Sequence, residues 1–345
     1  MIKNKLCMLM LVSAFLVACG SGKEVSQSSE PEKRVITETE TVNMKVVRTS
    51  AAVKQETETT TAKEESTATE TASPETTTAT TQEETKSAES ATNESNKIEI
   101  GLDPNWTYAS FSKINSGKSV LYKAGGNVKG ITIAVNAGHG TKGGSSQKTL
   151  CHPDGTPKVT GGTTKAGATT AIAVSEGMTF SDGTPESTVT FEMAKVLRDE
   201  LLSRGYNVLM IRDDKDVQLD NIARTVISNN NASAHIALHW DSTESDKGAF
   251  YMGVPNVNSY RSMEPVASHW QAHEALGKSL VQGLSAKGVK IFGDGRMEMD
   301  LTQTSYSTIP SIDIELGDKK SDYGSDRLNT LSKGIADGID SYFGF

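Results

Sequence analysis

Between Gly20 and Lys97 the chain has no Leu, Phe, Tyr or Trp and a single Ile, but 18 Thr and 15 Glu. A stretch of that composition cannot bury enough apolar surface to offset the entropy of ordering it. Any fold must therefore be built from the 248 residues of 98–345, a length that one α/β domain accommodates. Of the net charge of −8, the Thr/Glu stretch carries −6 and the two lysines before it +2, which leaves −4 for 98–345. Neither part has the basic excess needed to neutralise a phosphate backbone, so nucleic acid is not an expected partner. Cys7 and Cys19 lie in the first twenty residues and Cys151 stands alone, so no disulfide can form within the folded part.

Met1 to Lys5 is a short basic start and Leu6 to Val17 an apolar run of twelve residues, too short to span a bilayer as a stable helix. Residues 1–18 read as a signal peptide. The segment Leu16-Val17-Ala18-Cys19-Gly20 resembles the bacterial lipobox, which implies diacylglycerol on the Cys19 thiol and cleavage before it. Acyl chains there would anchor the protein, since each buried methylene contributes about 0.8 kcal/mol. The expected location is the cell envelope, on the outer face of the bacterial cytoplasmic membrane. Residues 19–97 then read as a lipidated Cys followed by a disordered linker, open to O-glycosylation, with a mean reach on the order of 50 Å.

In the folded part, Ile131 to Val135 reads as a buried strand running into the Gly-flanked turn Asn136-Ala137-Gly138-His139-Gly140. Residues 141–184 are rich in Gly, Thr and Ser and read as a long irregular insertion. Pro185 then opens an amphipathic helix carrying Val189, Met193, Val196, Leu197 and Leu201, ended by Gly205. Strands follow over Tyr206–Ile211, His235–His239, Ala249–Val254 and Ser311–Leu316, with helices over Leu219–Asn230, Val266–Lys287 and Leu328–Tyr342. The alternation predicts an α/β fold, a mostly parallel twisted sheet with helices on both faces. Residues 98–130 read as an edge segment, and 131–345 as the domain proper.

Open α/β sheets place ligands beyond the carboxyl ends of their strands. On that rim fall His139 after the first strand, His239 at the end of the third, Glu315 near the end of the Ser311–Leu316 strand, and Glu186 at a helix start. Two imidazoles and two carboxylates are the parts of a catalytic zinc site: three protein ligands, an open position for water, and a general base. Asp313 faces the same way as Glu315 and is the reserve candidate for the base.

These residues also carry a resemblance. The segments AGHG at 137–140, PEST and FEMAKVLRDELLSRGYNVLMIR within 185–212, AHIALH at 234–239 and IPSIDIELG at 309–317 resemble zinc-dependent N-acetylmuramoyl-L-alanine amidases of the amidase-3 family, over about 131–343. The resemblance implies a phosphorylase/hydrolase-like amidase fold, zinc held by His139, Glu186 and His239, and Glu315 as catalytic acid/base. It also implies a cell-wall hydrolase that cuts between N-acetylmuramic acid and the L-alanine of peptidoglycan, working as a monomer. The chain departs from the family pattern at Asn136-Ala137 before the Gly-His-Gly turn, at Trp240-Asp241 after His239, at Asp318, and in the length of the 141–184 insertion.

The other histidines have plainer readings. His235 shares a strand face with His239, but a four-residue offset is about 13 Å, too far for one metal; it reads as a structural His. His269 and His273 have helical metal-ligand spacing but read as a solvated or interdomain helix face, and His152 as part of the Pro153-Asp154-Gly155 turn. Cys151 is either buried or a reactive loose end. Two alternatives to the amidase stay open: a zinc carboxypeptidase acting on the stem peptide, and a lipoprotein that binds wall fragments without cutting them.

Overall fold

The structure, a computed structural model, describes residues 97–345. The signal peptide read over 1–18, the lipidated Cys19 and the Thr/Glu-rich stretch after it lie outside the described residues.

Ten strands follow in chain order: β1 (Lys97–Gly101), β2 (Lys118–Tyr122), β3 (Thr132–Ala137), β4 (Lys148–Leu150), β5 (Thr170–Ile172), β6 (Asn207–Met210), β7 (Ala234–Asp241), β8 (Ala249–Gly253), β9 (Ile291–Glu298) and β10 (Ser311–Asp318). Eight of them form one sheet in the order β1-β2-β6-β3-β7-β10-β8-β9. Its centre, β6-β3-β7-β10, is parallel, as the near-continuous apolar runs of strands buried on both faces require. Residues 98–130 contribute β1 and β2, an antiparallel pair that extends the sheet at one edge.

Helix α1 (Glu186–Ser203) follows the extended Pro185 and buries Val189, Met193, Leu197 and Leu201 at helical spacing. It ends where Gly205 turns to φ 87°; a Cβ there would lie 2.1 Å from the Asn127 carbonyl oxygen, so only glycine fits. Helix α2 (Asn221–Asn231) is N-capped by Asp220, whose carboxylate accepts from the Ala223 amide at 2.8 Å. Two long helices, α3 (Val266–Ala286) and α4 (Ser325–Phe343), approach so closely that a Cβ on Gly283 would sit 2.2 Å from the Gly334 carbonyl.

Alternation along β7 and β10 gives the two faces of the sheet opposite characters. Ile236, Leu238, Trp240, Ile312, Ile314 and Leu316 join the main core under α1, α3 and α4. On the other face, α2 covers Ala134 and Leu209, while His235, His239, Ser311, Asp313 and Glu315 hold the positions alternating with the core residues. A cleft opens over the end of this polar strip.

Two elements were not expected. β9 is an edge strand of mixed polar and glycine residues, largely exposed and paired with β8 through a register shift, so it lacks the alternation that marks a half-buried strand. The 141–184 insertion is not wholly irregular: β4 and β5 pair antiparallel within it, and three-residue strands are too short to show a period. The insertion is tied down by Asp300, fully buried, which receives the His152 Nε2 at 3.0 Å and the Val159 amide at 2.7 Å, with the Lys158 ammonium beside it.

Candidate metal centre

His139 is placed by backbone conformation. The turn after β3 puts it at φ 63° and Gly140 at φ 69°, a left-handed pair that turns the chain sharply away from the sheet. Gly138 has no room for a side chain, since a Cβ would lie 2.3 Å from the His239 ring. Glu186 opens α1, where the helix N-terminus favours a carboxylate, and His239 sits near the end of β7.

The three side chains converge. His139 Nε2 lies 2.9 Å from Glu186 Oε1, and His239 Nδ1 lies 3.1 Å from each of them. Two of the three, His139 and Glu186, are held from behind as metal ligands usually are. His139 donates from Nδ1 to the Ser175 carbonyl at 2.8 Å, which directs the Nε2 lone pair inward. Glu186 Oε2 accepts from the Met178 amide at 2.8 Å, and its Oε1 from the Trp240 amide at 3.0 Å.

The electrostatics say what this trio lacks. Burial opposes a charge on His239, but the hydrogen bond to Glu186 and its negative charge lift the imidazole to about 9. Burial, together with the facing His239, holds His139 below its ordinary value. Burial also opposes ionisation of Glu186, yet the two imidazoles hold it well below the usual carboxylate range. Two imidazole nitrogens and a carboxylate oxygen aimed at one point thus require one positive charge between them. A divalent cation satisfies that requirement, and His/His/Glu suits zinc; the residues present fit the metal.

Glu315 pairs in register with His239 on the neighbouring strand. Burial pushes its carboxyl up to about 8 and that of Asp313 to about 6. Among the described residues, Glu315 Oε2 and Asp313 Oδ1 have no hydrogen-bond partner, so both face the cleft without structural employment. Asp313 Oδ2 stands 3.9 Å from His239 Nε2. The cleft, about 780 Å³, is lined by these groups with Trp240 and, from the insertion, Thr163 and Thr164.

The structure therefore brings His139, Glu186, His239 and Glu315 to one cleft and keeps the other histidines out of it. His235 is buried at the start of β7, 3.4 Å from the Ser311 hydroxyl. His273 is not on a solvated face: it is fully buried, and its Nδ1 accepts the Ser311 amide at 2.9 Å where β10 begins. The neighbouring His269 contacts the Pro265 carbonyl at 2.8 Å. His152 does precede a turn, but the contact of its Nε2 with the Asp300 carboxylate makes it a buried anchor. Cys151 is fully buried.

Sequence reasoning missed Ser175 and Met178 because both act through backbone atoms, for which side-chain identity carries no signal. It also missed Arg212 and Arg224, buried behind the His139 turn. A signal for Arg224 exists: it lies between Ala223 and Val226, on a helix stretch whose neighbours are all core.

A family model described as N-acetylmuramoyl-L-alanine amidase, amidase-3, matches residues 133–341. Among solved structures, the N-acetylmuramyl-L-alanine amidase Ami1 of Mycobacterium smegmatis is similar, with TM-score 0.51 and 17% identity over 64% of this chain and 99% of that one. Ami1 of Mycobacterium abscessus aligns with TM-score 0.48 and 20% identity over 63% of this chain and 100% of its own. The catalytic domain of CwlV of Bacillus (Paenibacillus) polymyxa var. colistinus gives 0.43 and 19%, over 62% and 98%. At such identities the likeness to the first is one of fold. No curated protein matches the chain by sequence.

Proposed function

This chain belongs to the N-acetylmuramoyl-L-alanine amidase family and is a hydrolase of the amide between N-acetylmuramic acid and L-alanine in peptidoglycan, and from that premise we propose that it works with zinc held by His139, Glu186 and His239. Family membership sets aside both the stem-peptide carboxypeptidase and the non-cutting binder. The observation that supports zinc is the convergence of the three donor atoms, all within 4.8 Å of one another, with His139 and Glu186 each hydrogen-bonded on the far side.

Bound there, the ion would supply Lewis acidity toward an amide carbonyl and acidify water in its open position. The chain's own residues do the rest. The Ser175 carbonyl fixes the tautomer of His139, and the Met178 and Trp240 amides keep Glu186 aimed. Glu315, lifted toward neutral pH by its burial, takes a proton from the attacking water and returns it to the leaving L-alanine nitrogen. An acid that stays near its own pKa at the working pH can do both.

The test is zinc content and muropeptide mass analysis on the protein and its Glu315→Gln variant. We expect one zinc per chain in both, release of free lactyl acid and L-alanine amine by the parent, and a loss of about 10²–10⁴-fold in kcat for the variant. Undiminished cleavage by Glu315→Gln would remove Glu315 from its role. Cleavage that survives exhaustive chelation would remove the metal.

In the same reading, the lipobox-like segment at Leu16–Gly20 anchors the chain through Cys19 in the outer leaflet of the cytoplasmic membrane, and the Thr/Glu-rich segment lets the domain reach the wall. What supports this is the sequence alone: a basic start, a short apolar run and the abrupt polar switch after Gly20.

A further inference from the structure

Two cations lie buried directly behind the metal-binding turn. Arg212, just past β6, is fully buried, and Arg224, in α2, is 1% exposed. An arginine inside a protein ordinarily meets a carboxylate. Among the described residues, every hydrogen bond of both guanidiniums goes to a carbonyl, amide or hydroxyl oxygen, and six of the eleven go to residues 136–141.

Arg224 donates from Nη1 to the Asn136 side chain at 3.0 Å and the Ala137 carbonyl at 3.1 Å, and from Nη2 to the His139 carbonyl at 2.6 Å and the Thr141 hydroxyl at 2.8 Å. Arg212 donates from Nε to the Ala137 carbonyl at 3.3 Å, and from Nη2 to the Gly138 carbonyl at 3.1 Å. The same Nη2 also reaches α1, giving bonds to the Ser187 carbonyl at 2.7 Å and the Thr190 hydroxyl at 3.0 Å. Thr190 closes the loop by donating to the Gly138 carbonyl at 2.9 Å. The carbonyls of three successive residues, 137 to 139, are thus all turned to guanidinium.

We propose that Arg212 and Arg224 are positioning residues of the metal centre, which clamp the left-handed 137–140 turn and join it to the start of α1 so that His139 and Glu186 present their donor atoms at a set separation. The bridge is direct: Gly138 adjoins His139, Ser187 adjoins Glu186, and one guanidinium nitrogen binds both carbonyls. A non-glycine residue at φ 63° persists only where its surroundings over-determine it, and these bonds supply that determination. Gly140 belongs to the same device, since a Cβ on it would lie 2.7 Å from the Arg212 guanidinium carbon. Burial, with the neighbouring Arg212, pushes the Arg224 guanidinium down to about 9, so the position is held against its own electrostatic cost. Lysine would keep the charge but not the planar fork that reaches several acceptors at once.

The inference rests on the zinc reading above. The test compares the intact chain with Arg224→Lys, Arg212→Lys and the near-isosteric Thr190→Val, which removes the hydroxyl shared by Arg212 and the Gly138 carbonyl. Zinc affinity is measured by competition with a chromogenic chelator, kcat and KM on muropeptides, and thermal unfolding on the metal-free proteins. We expect zinc Kd to weaken by about tenfold to a hundredfold in the lysine variants and several-fold in Thr190→Val, with kcat falling and KM little changed. Thr190→Val keeps the test decisive if either arginine variant fails to fold. Variants that lose thermal stability alone, with zinc Kd and kcat as in the parent, would overturn the positioning role and leave the zinc reading standing. A parent that takes up no zinc would overturn both.

Discussion

At the scale of single residues, the centre depends as much on atoms that are missing as on those present. Gly138 is one strand-end residue, yet a methyl group there would occupy the place of the His239 imidazole at 2.3 Å. Gly138→Ala is therefore expected to fold, because the clash can be relieved by rotating His239, and to bind zinc at least tenfold more weakly, because a ligand leaves its set geometry. Chelator competition beside a far-ultraviolet dichroism spectrum checks this; a folded variant with unchanged affinity would refute the packing argument. Gly177 is constrained in a similar way, with φ 85° and a Cβ that would lie 2.7 Å from Glu186 Oε2. Of the four chemical groups, all were legible from residue type and place in the strand-helix alternation. What holds each one was not, since a carbonyl at Ser175 and an amide at Met178 could have come from any residue.

At the scale of elements, the insertion changes character between sequence and structure. Read along the chain it is a Gly/Thr/Ser-rich digression; in the fold it supplies the cleft wall, the acceptor for His139 and a donor for Glu186. Its anchor is the buried set His152, Lys158 and Asp300, of which Asp300 lies 148 and 142 residues beyond the other two. No local signal joins them, which is why His152 reads as a turn residue. Asp300→Ala leaves the His152 Nε2 and the Val159 amide without their acceptor and removes the negative charge beside Lys158, so we expect a loss of about 3–5 kcal/mol in unfolding free energy. Faster proteolysis within 148–172 should accompany it. A urea titration with the parent's midpoint would show that the anchor contributes nothing. The long helices were easier, because eighteen or more residues display their 3.6 period many times over, whereas the exposed, glycine-bearing β9 does not alternate and the three-residue strands β4 and β5 offer too few positions.

At the scale of the whole molecule, two histidines couple stability to pH. Burial pushes His235 down to about 3, with Arg224 and His273 adding to the shift, and burial likewise pushes His273 to about 3. Both are depressed from 6.5, so the unfolded chain binds protons first as pH falls; the stability they contribute is complete above about pH 6.5 and is lost progressively toward pH 3. Lowering the pH from 7 to 5 should therefore destabilise the metal-free parent relative to His273→Asn, which keeps an acceptor for the Ser311 amide, while the raised carboxyls of Asp313 and Glu315 pull the other way equally in both proteins. Equal slopes for parent and variant would assign the pH dependence elsewhere. At the other end of the chain, Cys19→Ser should move the protein from the membrane fraction to the soluble one while purified activity stays unchanged; continued membrane recovery would refute the anchor. The sequence by itself determined the α/β alternation and the four groups of the site, because periodicity and residue type are local properties. Only the tertiary structure decided that three donor atoms meet, that the insertion completes the site and that two arginines stand behind it. Those are distances between residues remote in sequence, and hydrogen bonds to backbone atoms that every residue possesses.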